Sequence, residues 1–365
     1  MTGGMLLPGL GVLGVSALSS LVMTDSGILR LIHHGNGSMS ATDSNRLFVG
    51  IGEVLFDVFE DGRQALGGAP LNVAVHAHQL AMALGLGEGI VVSSVGHDAP
   101  GEQLLSAIRD RAMSPSYITI DRQHPTGRVS VFIRDGEPGY QIELPAAWDY
   151  IAPSDSLDAL AAQCHAVCFG SLAQRSPVSR ETIRRFLEKA PQAVRLYDVN
   201  LRQNTISGEK GYSAEIVDTS CRLATVIKAN QSELVTISKL LGIETSSYPD
   251  ANGNRRRLES LLARFPVWAV VLTRGGEGTL LFTRDREISV DVTPIPQEQL
   301  HPVGAGDASS AGILLGLALG WEEARAVDLA DRMGAWVASQ PPATPMLPDS
   351  IIDYVRHATS VRPAV

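Results

Sequence analysis

The sequence predicts an α/β protein: a doubly wound, mainly parallel sheet with helices on both faces and a small β element added to it. Three observations carry this. Short apolar runs at Ala166–Phe169, Val194–Val199, Ala224–Ala229 and Val267–Thr273 alternate with helical patterns. Polar and glycine-rich clusters follow those runs, and in open α/β sheets ligands sit at the carboxyl ends of strands. A hairpin signal, Asp135-Gly136-Glu137-Pro138-Gly139 between Val129–Ile133 and Tyr140–Ile142, interrupts the alternation, as does the segment Val54–Gln64.

Taken in order, residues 1–45 stand apart. Met1 to Thr24 carries no charge, which denies a secretory signal its basic lead, and Gly, Pro and Ser interrupt the apolar stretch that a membrane span would need. Gly9, Gly11 and Gly14 match a dinucleotide-binding glycine pattern, but no strand leads into them. This stretch reads as a poorly ordered extension, with an export signal as the lesser alternative, and residues 46–360 as the folded domain. From Arg46 the chain is regular. Leu47–Leu55 reads as a buried strand. Gly67-Gly68-Ala69-Pro70 is a turn into a helix over Leu71–Leu84, followed by a strand at Ile90–Val95 and a helix at Gly101–Ala112.

Composition narrows the function. Charged residues make up 19% of the 365 and the net charge is −9, so the chain lacks the basic footprint of a nucleic-acid binder. Cys164, Cys168 and Cys221 are too few for a disulfide framework and point to a reducing, cytoplasmic setting. Cys164 and Cys168 flank a buried-looking strand and read as core thiols rather than a metal site.

The chemistry concentrates in His301-Pro302-Val303-Gly304-Ala305-Gly306-Asp307-Ala308. Small residues let the backbone bend and approach a ligand closely, and a helix starting near Asp307 would aim its first N–H groups into the turn. A carboxylate there repels the anion that the turn attracts. The pairing makes sense if the acid takes a proton from a hydroxyl while the amides stabilise a transferring phosphoryl group. An acid favourably placed at a helix start is the plainer alternative. Further clusters fall at successive strand ends: Asp57; Gly67, Gly68 and Asn72; Asp198, Asn200 and Arg202; Lys228, Asn230 and Glu233; and Thr273-Arg274-Gly275-Gly276-Glu277-Gly278. Each alone could be a polar strand end or a helix cap. Their recurrence along one edge argues for a site.

Several of these pieces carry a resemblance. Gly52-Glu53-Val54-Leu55-Phe56-Asp57, Leu66-Gly67-Gly68-Ala69-Pro70-Leu71-Asn72, Phe169–Arg175, Asp198-Val199-Asn200-Leu201-Arg202, Lys228–Glu233 and Val303–Ala308 occur in order. From about Leu47 to Ala358 the chain resembles the ribokinase-like (phosphofructokinase-B) carbohydrate kinases, and most of all their bacterial fructokinase branch.

The resemblance implies a three-layer α/β/α sandwich with a β lid formed by about 54–66 and 126–143. It implies transfer of the ATP γ-phosphate to a sugar hydroxyl, with D-fructose to fructose 6-phosphate as the first expectation and another sugar or a riboside as the alternative. Asp307 corresponds to the general base, and Gly304, Ala305 and Gly306 to the anion hole. Asp57, Gly67, Gly68, Asn72, Arg128 and Arg202 fall on the sugar side. Asn200, Lys228, Asn230, Glu233, Thr273, Gly275, Gly276 and Gly278 fall on the nucleotide side, and Asn230 and Glu233 would organise Mg²⁺ through water. Sugar and ATP are thus the implied partners, with no membrane and with a homodimer through the lid strands open. His301-Pro302 replaces the family's usual Asp-Thr, and histidine is a poor ligand for K⁺, which makes K⁺ activation doubtful and leaves backbone carbonyls as the open alternative. A non-catalytic sugar or nucleotide sensor of the same fold is the alternative from another class.

Overall fold

A computed structural model describes residues 45–134, 137–203, 207–243, 251–292 and 300–360, all within the unit Thr42–Val365. The extension over residues 1–44 and the hairpin tip at Asp135-Gly136 lie outside the described residues. In chain order the strands are β1 (Arg46–Ile51), β2 (Leu55–Phe59), β3 (Gln64–Gly67), β4 (Gly87–Gly96), β5 (Ile118–Asp121), β6 (Gly127–Arg134), β7 (Glu137–Ile142), β8 (Ala166–Phe169), β9 (Val194–Asp198), β10 (Val226–Asn230), β11 (Ala269–Thr273), β12 (Thr279–Thr283) and β13 (Glu287–Ser289). The helices are α1 (Ala69–Ala83), α2 (Ala99–Arg109), α3 (Asp155–Gln163), α4 (Pro177–Lys189), α5 (Ala214–Leu223), α6 (Gln231–Leu240), α7 (Ala251–Arg264), α8 (Ala305–Ala318), α9 (Glu323–Ala338) and α10 (Asp349–Ser360).

The main sheet has the order β13-β12-β11-β10-β9-β8-β1-β4-β5 and is parallel except for its β12 and β13 edge. Strand order reverses between β1 and β8, because β4 and β5 continue on one side of β1 while β8 to β11 continue on the other. That switch point opens a crevice at the carboxyl ends of the strands. Alternation along each strand explains the layers. Phe48, Cys168, Leu196 and Val226 pack with α1, α8, α9 and α10, whereas Val49, Val167, Tyr197 and Ile227 pack with α3 to α7. Both faces are buried, so the strands are apolar throughout, and each Leu or Ile withdrawn from water contributes about 1.5–3 kcal/mol.

The small β element is a second sheet of order β3-β2-β6-β7, in which β2 and β6 run parallel and the other pairs antiparallel. The structure corrects one expectation here, since Leu47–Leu55 is not a single strand. Gly52, with φ 146°, ends β1, and its carbonyl accepts a hydrogen bond from Ser93 Oγ at 2.6 Å. The apolar run continues into β2 of the other sheet, so hydrophobicity alone concealed the break. The edge strands β5 and β13, and β12 beside the latter, were not read from the sequence. The three cysteines are buried free thiols in the core, as expected. No helix among the described residues is long and apolar enough to cross a membrane.

Candidate active site

Register brings the strand-end clusters together. β9 and β10 pair so that Asp198 lies beside Lys228, and β10 and β11 pair so that Asn230 lies beside Thr273. Onto this edge α8 delivers the glycine turn. It begins at Ala305, two residues earlier than the expected start at Asp307, because Gly304 takes the left-handed conformation (φ 84°) and serves as N-cap without a side chain. A Cβ on Gly304 would lie 2.6 Å from the Ala343 carbonyl oxygen, so this position admits glycine alone. The Ala305 N–H donates to the Pro302 carbonyl at 3.2 Å and the Ala308 N–H to the Gly304 carbonyl at 2.9 Å. By helix geometry this leaves the N–H groups of Gly306 and Asp307 without an intrahelical acceptor.

Asp307 is half-buried and accepts a hydrogen bond from Asn72 Nδ2, on α1, at 2.8 Å. Residues far apart in sequence thus meet because α1 and α8 lie side by side on one face of the sheet. Burial raises the Asp307 pKa to about 6, with the Asp198 charge adding to it and the Asn72 bond, Lys228 and Arg202 opposing it. That keeps a carboxylate near neutrality, where a base is effective.

Beneath the turn, Lys228 Nζ lies 3.1 Å from Asp198 Oδ2, and the same oxygen accepts from Ser310 Oγ at 2.6 Å. Both ends of this ion pair are buried. Burial pulls the Lys228 pKa down, but Asp198, Glu233 and Asp307 outweigh it, so the ammonium stays charged. Its Nζ lies 3.8 Å from the point where a Gly306 Cβ would stand, which places the charge directly under the helix start. Ser310 was not foreseen. Its signal was its spacing, one helical turn after Asp307.

Asn230 and Glu233 form a capping box on α6: Asn230 Oδ1 accepts from the Glu233 N–H and Glu233 Oε2 from the Asn230 N–H, each at 2.9 Å. Glu233 Oε1 also accepts from the Leu201 N–H at 3.1 Å. Burial, then Asp198, raise the Glu233 pKa. These oxygens are occupied, and no group of His, Cys, Asp or Glu among the described residues could cage a metal directly. The donor set therefore suits a hydrated cation held at second hand, which is how Mg²⁺ is usually bound.

Asp57 stands on β2, Gly67 ends β3 and Gly68 is the N-cap of α1. Burial raises the Asp57 pKa to about 6, opposed by Arg202. Gly67 pairs opposite Leu55, and a Cβ on it would approach Asp57 Oδ2 to 2.8 Å. Arg202 is exposed, and its charge reaches Glu53, Asp57, Glu233 and Asp307 together. Asn200 sits just past β9 with φ 37°, a left-handed conformation that asparagine tolerates. Arg128 stands on β6 opposite Phe56, with its charge beside Asp98. Gly275, Gly276 and Gly278 border a single 3-10 turn after β11, and no atom comes within 4 Å of a Cβ built on Gly275 or Gly276. His301 is exposed, and its N–H donates to the Ala338 carbonyl at 2.6 Å.

Comparison with known proteins fits this geometry. A fructokinase of Salmonella typhimurium is 28% identical over 276 residues, covering 73% of this chain and 83% of the relative. Among solved structures, the ATP-bound fructokinase of Xylella fastidiosa superposes with a TM-score of 0.70 at 20% identity, over 86% of this chain and 99% of that one. The aminoimidazole riboside kinase of Salmonella enterica gives 0.66 at 21%, over 85% and 100%. Both share the fold of this chain. Residues 54–350 match the pfkB family carbohydrate kinases, and with the glycine turn and its acid at the sheet's switch point, the chain belongs to that family.

Proposed function

We propose that the protein transfers the γ-phosphoryl group of ATP to a hydroxyl of a sugar, with D-fructose to fructose 6-phosphate as the best reading. The observation that carries it is the meeting of Asn72 and Asp307 at the uncapped start of α8, above the buried Lys228. Phosphoryl transfer asks mainly for positioning and charge stabilisation. Asp307 takes the proton of the attacking hydroxyl while Asn72 orients its carboxyl group. The free N–H groups at the start of α8, with Lys228 behind them, stabilise charge on the phosphoryl oxygens. Gly304 and Ala305 shape the turn that presents them.

Asp57, Gly67, Gly68, Asn72, Arg128 and Arg202 form the sugar side, and the small sheet acts as the lid that keeps water out. Asn200, Lys228, Asn230, Glu233, Thr273, Gly275, Gly276 and Gly278 form the nucleotide side. Mg²⁺, held through water near Asn230 and Glu233, would neutralise phosphate charge. The His301 side chain brings no oxygen donor to the turn, which leaves backbone carbonyls as the ligands for any K⁺ there.

The test is an ADP-release assay with ATP, Mg²⁺ and a panel of sugars and ribosides, with and without K⁺. Turnover on fructose that vanishes in Asp307→Asn supports the reading. Turnover confined to a riboside moves the substrate but keeps the chemistry. Turnover on none of them, with ATP or a sugar still raising the melting temperature, favours a sensor.

A further inference from the structure

Glu53 has no part in the mechanism above, yet it is the acid next to the switch point. It stands two residues past β1, after Gly52, its side chain is turned inward, and it is 3% exposed. The carboxyl group lies against its own N–H and against the N–H of Ala69, the first residue of α1. Its Oε2 is buried and has no hydrogen-bond partner. Most buried polar atoms are paired, so such an atom asks for a reason.

The start of α1 supplies one. Its N-cap is Gly68, with φ 113° and no capping side chain, and its first turn contains no acid. Pro70 has no N–H to satisfy, so the Ala69 N–H is one of only two early donors in need of a partner. A Cβ on Gly68 would lie 2.4 Å from the Glu53 carbonyl oxygen, which shows how closely the two segments are pressed together. One turn further on, the same helix carries Asn72, whose amide holds Asp307.

Resting on the kinase reading, we propose that Glu53 is a positioning residue of the transfer site: from the end of β1 it secures the first turn of α1, and so the Asn72 amide, against Asp307. Charge supports the geometry. Glu53 faces Arg202, from the segment after β9, and Asp307, from α8, while the Cys168 thiol on β8 also feels it. Asp307 faces Asn72, Asp198, Lys228, Arg202 and Glu53. Burial raises the Glu53 pKa to about 7, above the value of about 6 at Asp307. Burial is the first cause at both acids, and the Asp307 charge adds to it at Glu53, so the two carboxyl groups titrate as neighbours.

The experiment compares Glu53→Gln, Glu53→Ala and Asp307→Asn by turnover against pH, melting temperature, and carboxyl-carbon NMR titration of Asp307 in the free protein. Glu53→Ala is expected to lower kcat by about 10-fold or more with the KM for ATP nearly unchanged, on the scale seen when a reacting group is misplaced. Glu53→Gln, which keeps the shape and an acceptor oxygen, restores most of kcat at neutral pH. It also shifts the Asp307 titration, because a neighbouring ionisable acid has been removed. Unchanged turnover and an unchanged Asp307 titration in both Glu53 variants overturn the inference, even where the melting temperature falls. Full turnover in Asp307→Asn overturns Asp307 as the base, and no turnover in the unaltered protein overturns the kinase reading; in either case the NMR titration still decides on Glu53.

Discussion

Two sets of helix starts in this molecule can be set side by side. Asp98, Ser154, Ser213 and Asn230 cap α2, α3, α5 and α6 with their own side chains. The starts of α1 and α8 are capped by Gly68 and Gly304, both at positive φ and both without a side chain to offer. Those two bare starts converge, through Asn72 and Asp307. A capped start is chemically closed, because its donors are spent within the chain. At α1 the Ala69 N–H faces the Glu53 carboxyl group, whereas at α8 the N–H groups of Gly306 and Asp307 are left without an intrahelical acceptor. Ser176 and Glu322 start α4 and α9 without a side-chain cap as well, so it is glycine at positive φ that marks the two starts meeting at the candidate site.

The largest effect that would break this contrast comes from Asp307→Asn. It is expected to lower kcat by about 10²–10⁴-fold while sugar and ATP still raise the melting temperature. Gly304→Ala is next. A side chain at φ 84° against Ala343 costs about 1–3 kcal/mol in stability and, by shifting the turn, about 10- to 100-fold in kcat. In the pH profile, activity should fall about tenfold per unit below pH 6, where Asp307 takes up its proton.

Stability gives a quieter test with its own sign. Asp307 has a raised folded-state pKa, so the folded chain binds more protons than the unfolded chain between about 4 and 6 and loses stability as pH rises through that window. Asp307→Asn should therefore stabilise the protein at pH 8 by on the order of 1–2 kcal/mol, and not at pH 4, as thermal melts would show. The smallest effects sharpen the comparison. Ser213→Ala and Asn230→Ala should each cost about 1 kcal/mol for a lost cap. Only Asn230→Ala should also raise the KM for ATP, and equal turnover in the two would leave Asn230 a cap and nothing more.

The parts of this arrangement differ in how far the sequence exposed them. The strand–helix alternation and the polar strand ends were legible, because burial on both faces makes parallel strands apolar and their ends abruptly polar. The break at Gly52 was not, since β1 and β2 are equally apolar and only a backbone angle separates them. Asn72 and Asp307 were legible as separate motifs, but their contact spans 235 positions and depends on how α1 and α8 pack. Asn230 and Glu233 carried two meanings at once. The capping box is their structural one, and its spacing is also that of the resemblance. The reach of Arg202 to four carboxyl groups had no signal in the chain at all.

The burial of Cys168 has a use beyond packing. It is a β8 residue, paired in register with Gly50 and Leu196, and its thiol feels Asp198, Lys228, Asp307 and Glu53 from beneath the glycine turn. Burial pushes that thiol far above the usual range, so it is inert to alkylating reagents while the sheet stays closed. Its labelling rate is then a clock for the opening of the site from below, without a probe added to the molecule. Ligands that bridge the strands at this edge should slow that clock, and Cys168 in one core layer can be compared with Cys164 and Cys221 in the other.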